Sequence, residues 1–211
     1  MAEQTGGRAR TGSGRSLPKS HRTRERILDA AARVLGSKGY AGTRLQDVAA
    51  EAGIQAPAIY YYFGSRDELI AEVMYVGAHR VRGHVADVLA GLPAETGAMD
   101  RILAAVEAHL RYELLISDYT TASVRNAGQV PDAVRERAVA EETAYSHMWR
   151  DLFEHAHADG ELRADLDLNL TRFLILGAMN WAAEWWDPKH RTLDDLVAST
   201  QTLVLHGLGR H

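Results

Sequence analysis

Apolar side chains recur every three to four positions along almost the whole chain beyond residue 20, and strand-like alternation is absent. The first such stretch covers about residues 22–37, with Ile27, Ala31, Val34 and Leu35 on one stripe. Gly39 is placed to end it, as a C-terminal glycine does. Thr43 stands where a capping residue opens a second helix whose apolar positions are Leu45, Val48 and Ala49. Ala52-Gly53-Ile54 then makes a tight corner, Gly53 supplying the positive φ. A third helix starts at Gln55 or Ala56 and ends by Phe63, with Pro57 tolerated only because the first turn needs no amide donor. Gly64-Ser65 interrupts the chain, and Ser65 caps a long helix over 66–90 with Asp67 and Glu68 at its positive end.

The helical pattern continues to the end. It predicts helices over about 98–116, near 118–126, one opened by Gly128-Gln129-Val130-Pro131 and running to about 157, about 168–186, and 192 or 193 to 208, with Gly91-Leu92-Pro93, Asp159-Gly160 and Asp187-Pro188 as further breaks. The expected fold class is therefore all-α, with about nine helices.

Composition narrows the class. A chain of 211 residues with 46% hydrophobic and 25% charged residues is globular rather than disordered, and long enough for a small module beside a larger core. Without cysteine it has no disulfide and no thiolate metal site, which suits a reducing cytoplasm, the location expected here. No apolar run is of membrane-spanning length, so no membrane partner is expected. Residues 1–20 are rich in Gly, Ser, Thr and Arg and are expected to be a disordered basic tail.

Charge changes the picture more. Eleven basic against five acidic side chains up to Arg66 make that part +6, although the whole chain is −4, which leaves −10 on the rest. A basic end on an acidic body is the asymmetry expected where one end meets phosphates.

At that basic end, Ile27-Leu28-Asp29-Ala30-Ala31, Gly39-Tyr40, Thr43, Asp47-Val48-Ala49, Ala52-Gly53-Ile54, Ile59-Tyr60-Tyr61-Tyr62-Phe63 and Ser65-Arg66-Asp67-Glu68-Leu69 follow in order. This run of about fifty residues resembles the tetracycline-repressor (TetR) family of transcriptional regulators. The resemblance implies a helix-turn-helix DNA reader over 21–66, a connector helix over 66–90, and a ligand-binding and dimerisation domain over 67–211. A recognition helix turns its N-terminal residues to the base edges. Gln55, Ala56, Pro57 and Ala58 occupy those positions; Gln55 suits a bidentate contact to adenine, and Ala56 and Ala58 a thymine methyl. Tyr60 and Tyr61 follow with phenol hydroxyls within reach of phosphates, Thr43 and Arg44 stand at a helix start, and Arg66 takes the place of a phosphate-clamping Lys in relatives. Ile59 and Phe63 should point inward. Where relatives commonly carry Ser, Gly and His, this chain has Gln55, Pro57 and Tyr62, so few donors face the bases and shape readout gains weight.

The remainder reads as a sensor. A pocket between helices is expected, lined by Val106, Leu110, Tyr112, Tyr119, Tyr145, Trp149 and Phe153. Arg111, Arg125 and Asn126 are candidates to hold an anionic headgroup, Arg125 foremost. Leu176-Gly177-Ala178-Met179-Asn180-Trp181 and Glu184-Trp185-Trp186-Asp187-Pro188 are similar to the penultimate helix of TetR-family regulators that respond to acyl-CoA, which implies an effector of that kind. Trp181 and Trp185 share a helix face, and Gly177 permits close approach. With Leu196, Thr200 and Leu203 they form the expected homodimer interface, the last two helices pairing with their copies as a four-helix bundle. A double-stranded operator, a small-molecule effector and a second copy of the chain are the expected partners, with no cofactor and no metal. Two other readings stay open, a ligand-binding protein with a degenerate DNA reader and an all-α enzyme. The second has little to stand on: the Asp151/His155 pair supplies too few ligands for a metal, and phosphate-cradling and nucleophile-elbow motifs are missing.

Overall fold

The computed structural model describes residues 19–116 and 118–210. Lys19 and Ser20 belong to the first helix, and the rest of the expected tail lies outside the described residues. Helix α1 (Lys19–Gly42) buries Ile27, Ala31, Val34 and Leu35, the stripe read from the sequence, together with Leu28, Ala30 and Ala32. Gly39, at φ 70 and ψ 173, breaks the helical path and a single turn follows. Helix α2 (Leu45–Ala52) ends in a left-handed Gly53. There Ile54 N–H reaches back to Ala49 O at 3.0 Å and Gly53 N–H to Ala50 O at 3.1 Å, the paired bonds of a Schellman cap.

Two expectations are corrected here. Arg44, not Thr43, occupies the cap position of α2, and no side chain caps that helix. Thr43 is buried and its hydroxyl donates to Gly39 O at 2.8 Å, closing the turn after the glycine break. Helix α3 (Ala56–Ile59) is a single turn, and residues 60–62 continue as turns rather than helix. Pro57 in the first turn and the aromatic run behind it leave little helix-favouring sequence between them.

Helix α4 (Arg66–Ala90) starts as expected: Ser65 Oγ accepts from Glu68 N–H at 3.0 Å, while Glu68 accepts from Gly64 N–H at 2.8 Å. Helix α5 (Ala98–Arg111) does not run on to residue 116. Its ladder widens into a π-helical turn, Tyr112–Ile116. Helices α6 (Asp118–Asn126), α7 (Asp132–Ala158), α8 (Leu168–Trp185) and α9 (Leu193–Leu208) complete an all-α fold, with no strand among the described residues. Asp167 caps α8 and Thr192 with Asp195 forms a capping box on α9.

Two apolar clusters hold the helices. One joins α1, α2, α3 and the start of α4 through Ile27, Leu35, Val48, Ile59, Phe63 and Leu69, and draws in Tyr119 and Ala122 of α6 and Ala138 of α7. The other packs α5, α7, α8 and α9 around Ile102, Val106, Trp149, Phe153, Met179 and Val204. The first core is thus not closed by its own three helices; α6 lies directly on it.

Candidate DNA-reading surface and ligand chamber

The turn from Gln55 to Phe63 sorts its side chains by burial. Ile59 and Phe63 are inside, as expected, and Ala56 and Tyr62 pack partly against the same core. Gln55, Pro57 and Ala58 are exposed, together with Tyr60 at 59% and Tyr61 at 83%. Ala56 is half-buried, since the short helix turns it partly toward the core. Tyr61 leans edge-on against Tyr62, centroids 5.1 Å apart, and otherwise stands in solvent.

Most basic groups of the reader are engaged within the fold. Arg24 pairs with Glu72 at 2.8 Å and lies over the Phe63 ring, Arg33 pairs with Glu51 at 2.7 Å, and Lys38 with Asp47 at 3.0 Å. Arg26 donates to Ala52 O and closes the corner beside Gly53. Arg66 stacks on Tyr40 with its guanidinium carbon 4.3 Å from the ring centroid, and its Nε lies 3.2 Å from Asp67. Arg44 is exposed and has no ion-pair partner among the described residues. The surface that faces outward is thus Gln55, Pro57, Ala58, the two tyrosines and Arg44, with Arg66 beside them.

A chamber of about 400 Å³ opens between α4, α5, α6, α7 and α8. Gly77, Ala78 and Val81 supply its α4 wall; Thr120, Ser123, Val124 and Ala127 its α6 wall; Phe173, Leu176, Gly177 and Asn180 its α8 wall. His109, Glu142, Tyr145 and Ser146 add polar groups. Among the described residues no Lys or Arg lines it. Gly77 is a packing necessity here, since a Cβ on it would lie 2.9 Å from Tyr119 O and 2.6 Å from Ser123 Oγ.

Residues 27–73 match the family described as bacterial regulatory proteins, tetR family, and residues 95–208 match the tetracyclin repressor-like C-terminal domain. This chain belongs to the TetR family. It is a DNA-binding transcriptional regulator of the ligand-responsive kind, not an enzyme. It is similar to the transcriptional repressor KstR2 of Rhodococcus jostii, 24% identical over 195 residues covering 88% of this chain and 90% of that one. In fold it is similar to the ketosteroid regulator KstR2 of Mycobacterium tuberculosis, TM-score 0.78 at 19% identity over 89% and 95% of the two chains. It is similar again to AibR, solved with isovaleryl coenzyme A and operator DNA, TM-score 0.77 at 21% identity over 87% and 97%.

In this TetR-family regulator most of the expected pocket residues are elsewhere. Of the ten named, Tyr145 alone is among the described residues that line the chamber. Val106, Leu110, Trp149 and Phe153 are fully buried in the second core, so an apolar stripe there meant packing. Tyr112 stacks at a tilt on His84. Tyr119 donates from its hydroxyl to Asp29 at 2.7 Å under the Arg80 guanidinium, and burial with that bond pushes its phenol far up from its ordinary value. Arg125 pairs with Glu184 and donates to Gly36 O at 3.2 Å and Ala183 O at 3.4 Å, joining α6 to α1 and α8 rather than facing a ligand. Asn126 donates to Leu35 O at 3.2 Å and accepts from Tyr40 N–H at 2.8 Å. Arg111 bridges Glu107 and Asp194. His155 approaches the Asp151 carbonyl, not its carboxylate, and no group of His, Asp and Glu among the described residues is arranged to hold a metal. The residues sequence reasoning missed, Gly77, His109 and Ser123 above all, are small or polar positions whose signal is the approach of another helix.

The expected interface divides. Gly177, Trp181 at 63% and Trp185 at 57% are exposed on α8, and Leu203 is exposed on α9 with open space also at Gly207. Leu196 and Thr200 are half-buried: Leu196 packs partly on its own core and Thr200 bonds back to Leu196 O. Among the described residues no helix is long and apolar enough to cross a membrane.

Proposed function

We propose that the chain is a dimeric repressor, with residues 21–66 reading DNA, residues 67–211 sensing and pairing, and release triggered by a small molecule in the chamber. The observation that carries this reading is the position of α6. One of its faces forms a chamber wall through Thr120, Ser123, Val124 and Ala127, and the other is bonded to α1 through Tyr119, Arg125 and Asn126. A ligand that displaces α6 therefore shifts the reader directly, and by linkage operator DNA disfavours that ligand equally. Gln55, Pro57, Ala58, Tyr60, Tyr61, Arg44 and Arg66 are the residues we assign to the operator, with Thr43 supporting the turn from inside.

The exposed apolar face of α8 and α9 supports pairing with a second copy, since Leu170, Phe173, Leu174, Trp181, Trp185 and Leu203 are a larger exposed group than a monomer usually leaves. Such a dimer sets its reading turns about 34 Å apart, one turn of a near-palindromic operator. For the effector we propose a thioester of the acyl-CoA class, supported by the ligand named for the similar AibR. The test is fluorescence anisotropy of operator DNA, selected from a random pool, titrated with protein and then with isovaleryl-CoA and long-chain acyl-CoA. Saturable, salt-sensitive binding reversed by one of them is expected. Binding that none reverses would overturn the effector class, and failure to select any sequence would overturn the reader.

A further inference from the structure

The chamber contains one polar chain that its apolar walls do not explain. His109 Nδ1 lies 2.8 Å from Tyr145 Oη, and the two rings are within 8° of parallel. On its other side His109 Nε2 lies 2.9 Å from Glu113 Oε2, with side chains 2% and 0% exposed. Trp149 packs edge-on against both His109 and Tyr145. Neither Glu113 oxygen nor His109 Nε2 has an aligned hydrogen-bond partner, so the two meet as an ion pair by distance, and His109 is the cationic group within reach of Glu113 among the described residues. The carboxylate that lines the chamber among the described residues, Glu142, is paired with Arg135 at 2.8 Å.

A buried carboxylate with no compensating charge is costly, and His109 is the group placed to supply that charge among the described residues. An imidazolium there has a proton on Nδ1 to donate to Tyr145 Oη. The phenol's own proton is then free to donate into the chamber that Tyr145 lines. An O–H that already accepts from an imidazole N–H is a strengthened donor in a dry site. Burial keeps the phenol protonated by raising it well above its ordinary range; the nearby Trp149 indole works against this and the Glu113 carboxylate adds to the rise.

We propose that Tyr145, backed by His109 and Glu113, is the effector-reading group of the chamber, and that the effector presents a carbonyl oxygen to it on a compact apolar body. This rests on the reading of the chamber as the effector site and adds what is recognised there. Val81, Phe173 and Leu176 receive the apolar body. With no Lys or Arg on the walls among the described residues, an anionic carrier such as coenzyme A stays outside. A thioester and a ring ketone share this chemistry.

Two isosteric probe pairs separate them: isovaleryl-CoA against its thioether S-(3-methylbutyl)-CoA, and cyclohexanone against methylenecyclohexane. Affinities are measured by calorimetry for the first pair and ligand-observed NMR for the second. The carbonyl member of at least one pair should bind about tenfold tighter, the scale of one good buried hydrogen bond, and the pair that shows it names the source. Tyr145→Phe should abolish that ratio while leaving the carbonyl-free member's affinity unchanged. Glu113→Gln should lower the ratio partway, with circular dichroism intact. Equal affinities within both pairs, or a preference that survives Tyr145→Phe, overturn the proposal. If none of the four probes binds, the chamber fails as an effector site altogether, whereas operator selection still decides the DNA-reading assignment on its own.

Discussion

Tyr61 leaves most of a large ring in solvent beside residues whose neighbours are buried, and a side chain of that size is held exposed only at some cost in apolar hydration. Its assigned role predicts that Tyr61→Phe, which deletes one hydroxyl, weakens operator binding by about 0.5–1.5 kcal/mol, read by anisotropy; an unchanged affinity removes Tyr61 from the phosphate contacts. Gln55→Ala should relax discrimination at one base pair per half-site by about 1–3 kcal/mol, and a panel of operator variants ranked as before would sink that assignment. Arg44→Ala should weaken binding to all sequences alike and lower the slope of affinity against salt by about one unit. The inward direction of Ile59 and Phe63 was legible from helical spacing, because burial follows periodicity. Thr43 was not: a threonine before an apolar stripe reads as a cap, and only the path of the chain after Gly39 turns its hydroxyl to Gly39 O.

Among the elements, the helices with good caps and regular stripes stand where the pattern puts them. Ser65 on α4 is the example, and Ser65→Ala should cost about 0.5–2 kcal/mol of stability, measured by denaturant unfolding. The departures come from other causes. Helix α3 shortens because Pro57 and the tyrosines offer weak helical propensity, and α5 gives way at Tyr112 to the π-helical turn that carries Glu113. Both lie in local stretches of chain. Gly77 differs, because what its missing Cβ clears lies on another helix. Replacing it by Ala forces a Cβ against the Tyr119 carbonyl and must push α6 from α4. We expect a stability loss of about 1–3 kcal/mol and weaker operator binding without any ligand, because α6 is bonded to α1. A Gly77→Ala protein with wild-type melting and DNA affinity would refute the link.

At the scale of the molecule α6 touches the chamber on one side and the first core on the other, and the proposed coupling of sensing to reading runs through that packed element. Pairing belongs to the same scale. Trp185→Asp places a charge in the middle of the exposed α8 face, and sedimentation velocity should then show a monomer. Its operator affinity should fall by a hundredfold on the order of magnitude expected when two linked half-site contacts become one. A Trp185→Asp protein that still sediments as a dimer would move the interface elsewhere.

Periodicity, caps and charge by themselves determined the all-α class, the order and extent of most helices, and the basic reader at one end. These are local properties, set by side chains three or four positions apart and by the residues that end a helix. The chamber was decided by tertiary structure alone. Val106, Trp149 and Phe153 were apolar enough to line it and became core, while Gly77, His109 and Ser123 reached it because helices far apart in sequence cross there. Periodicity states which face of a helix is covered; what covers it, another helix or a ligand, depends on distances that no stretch of the chain contains.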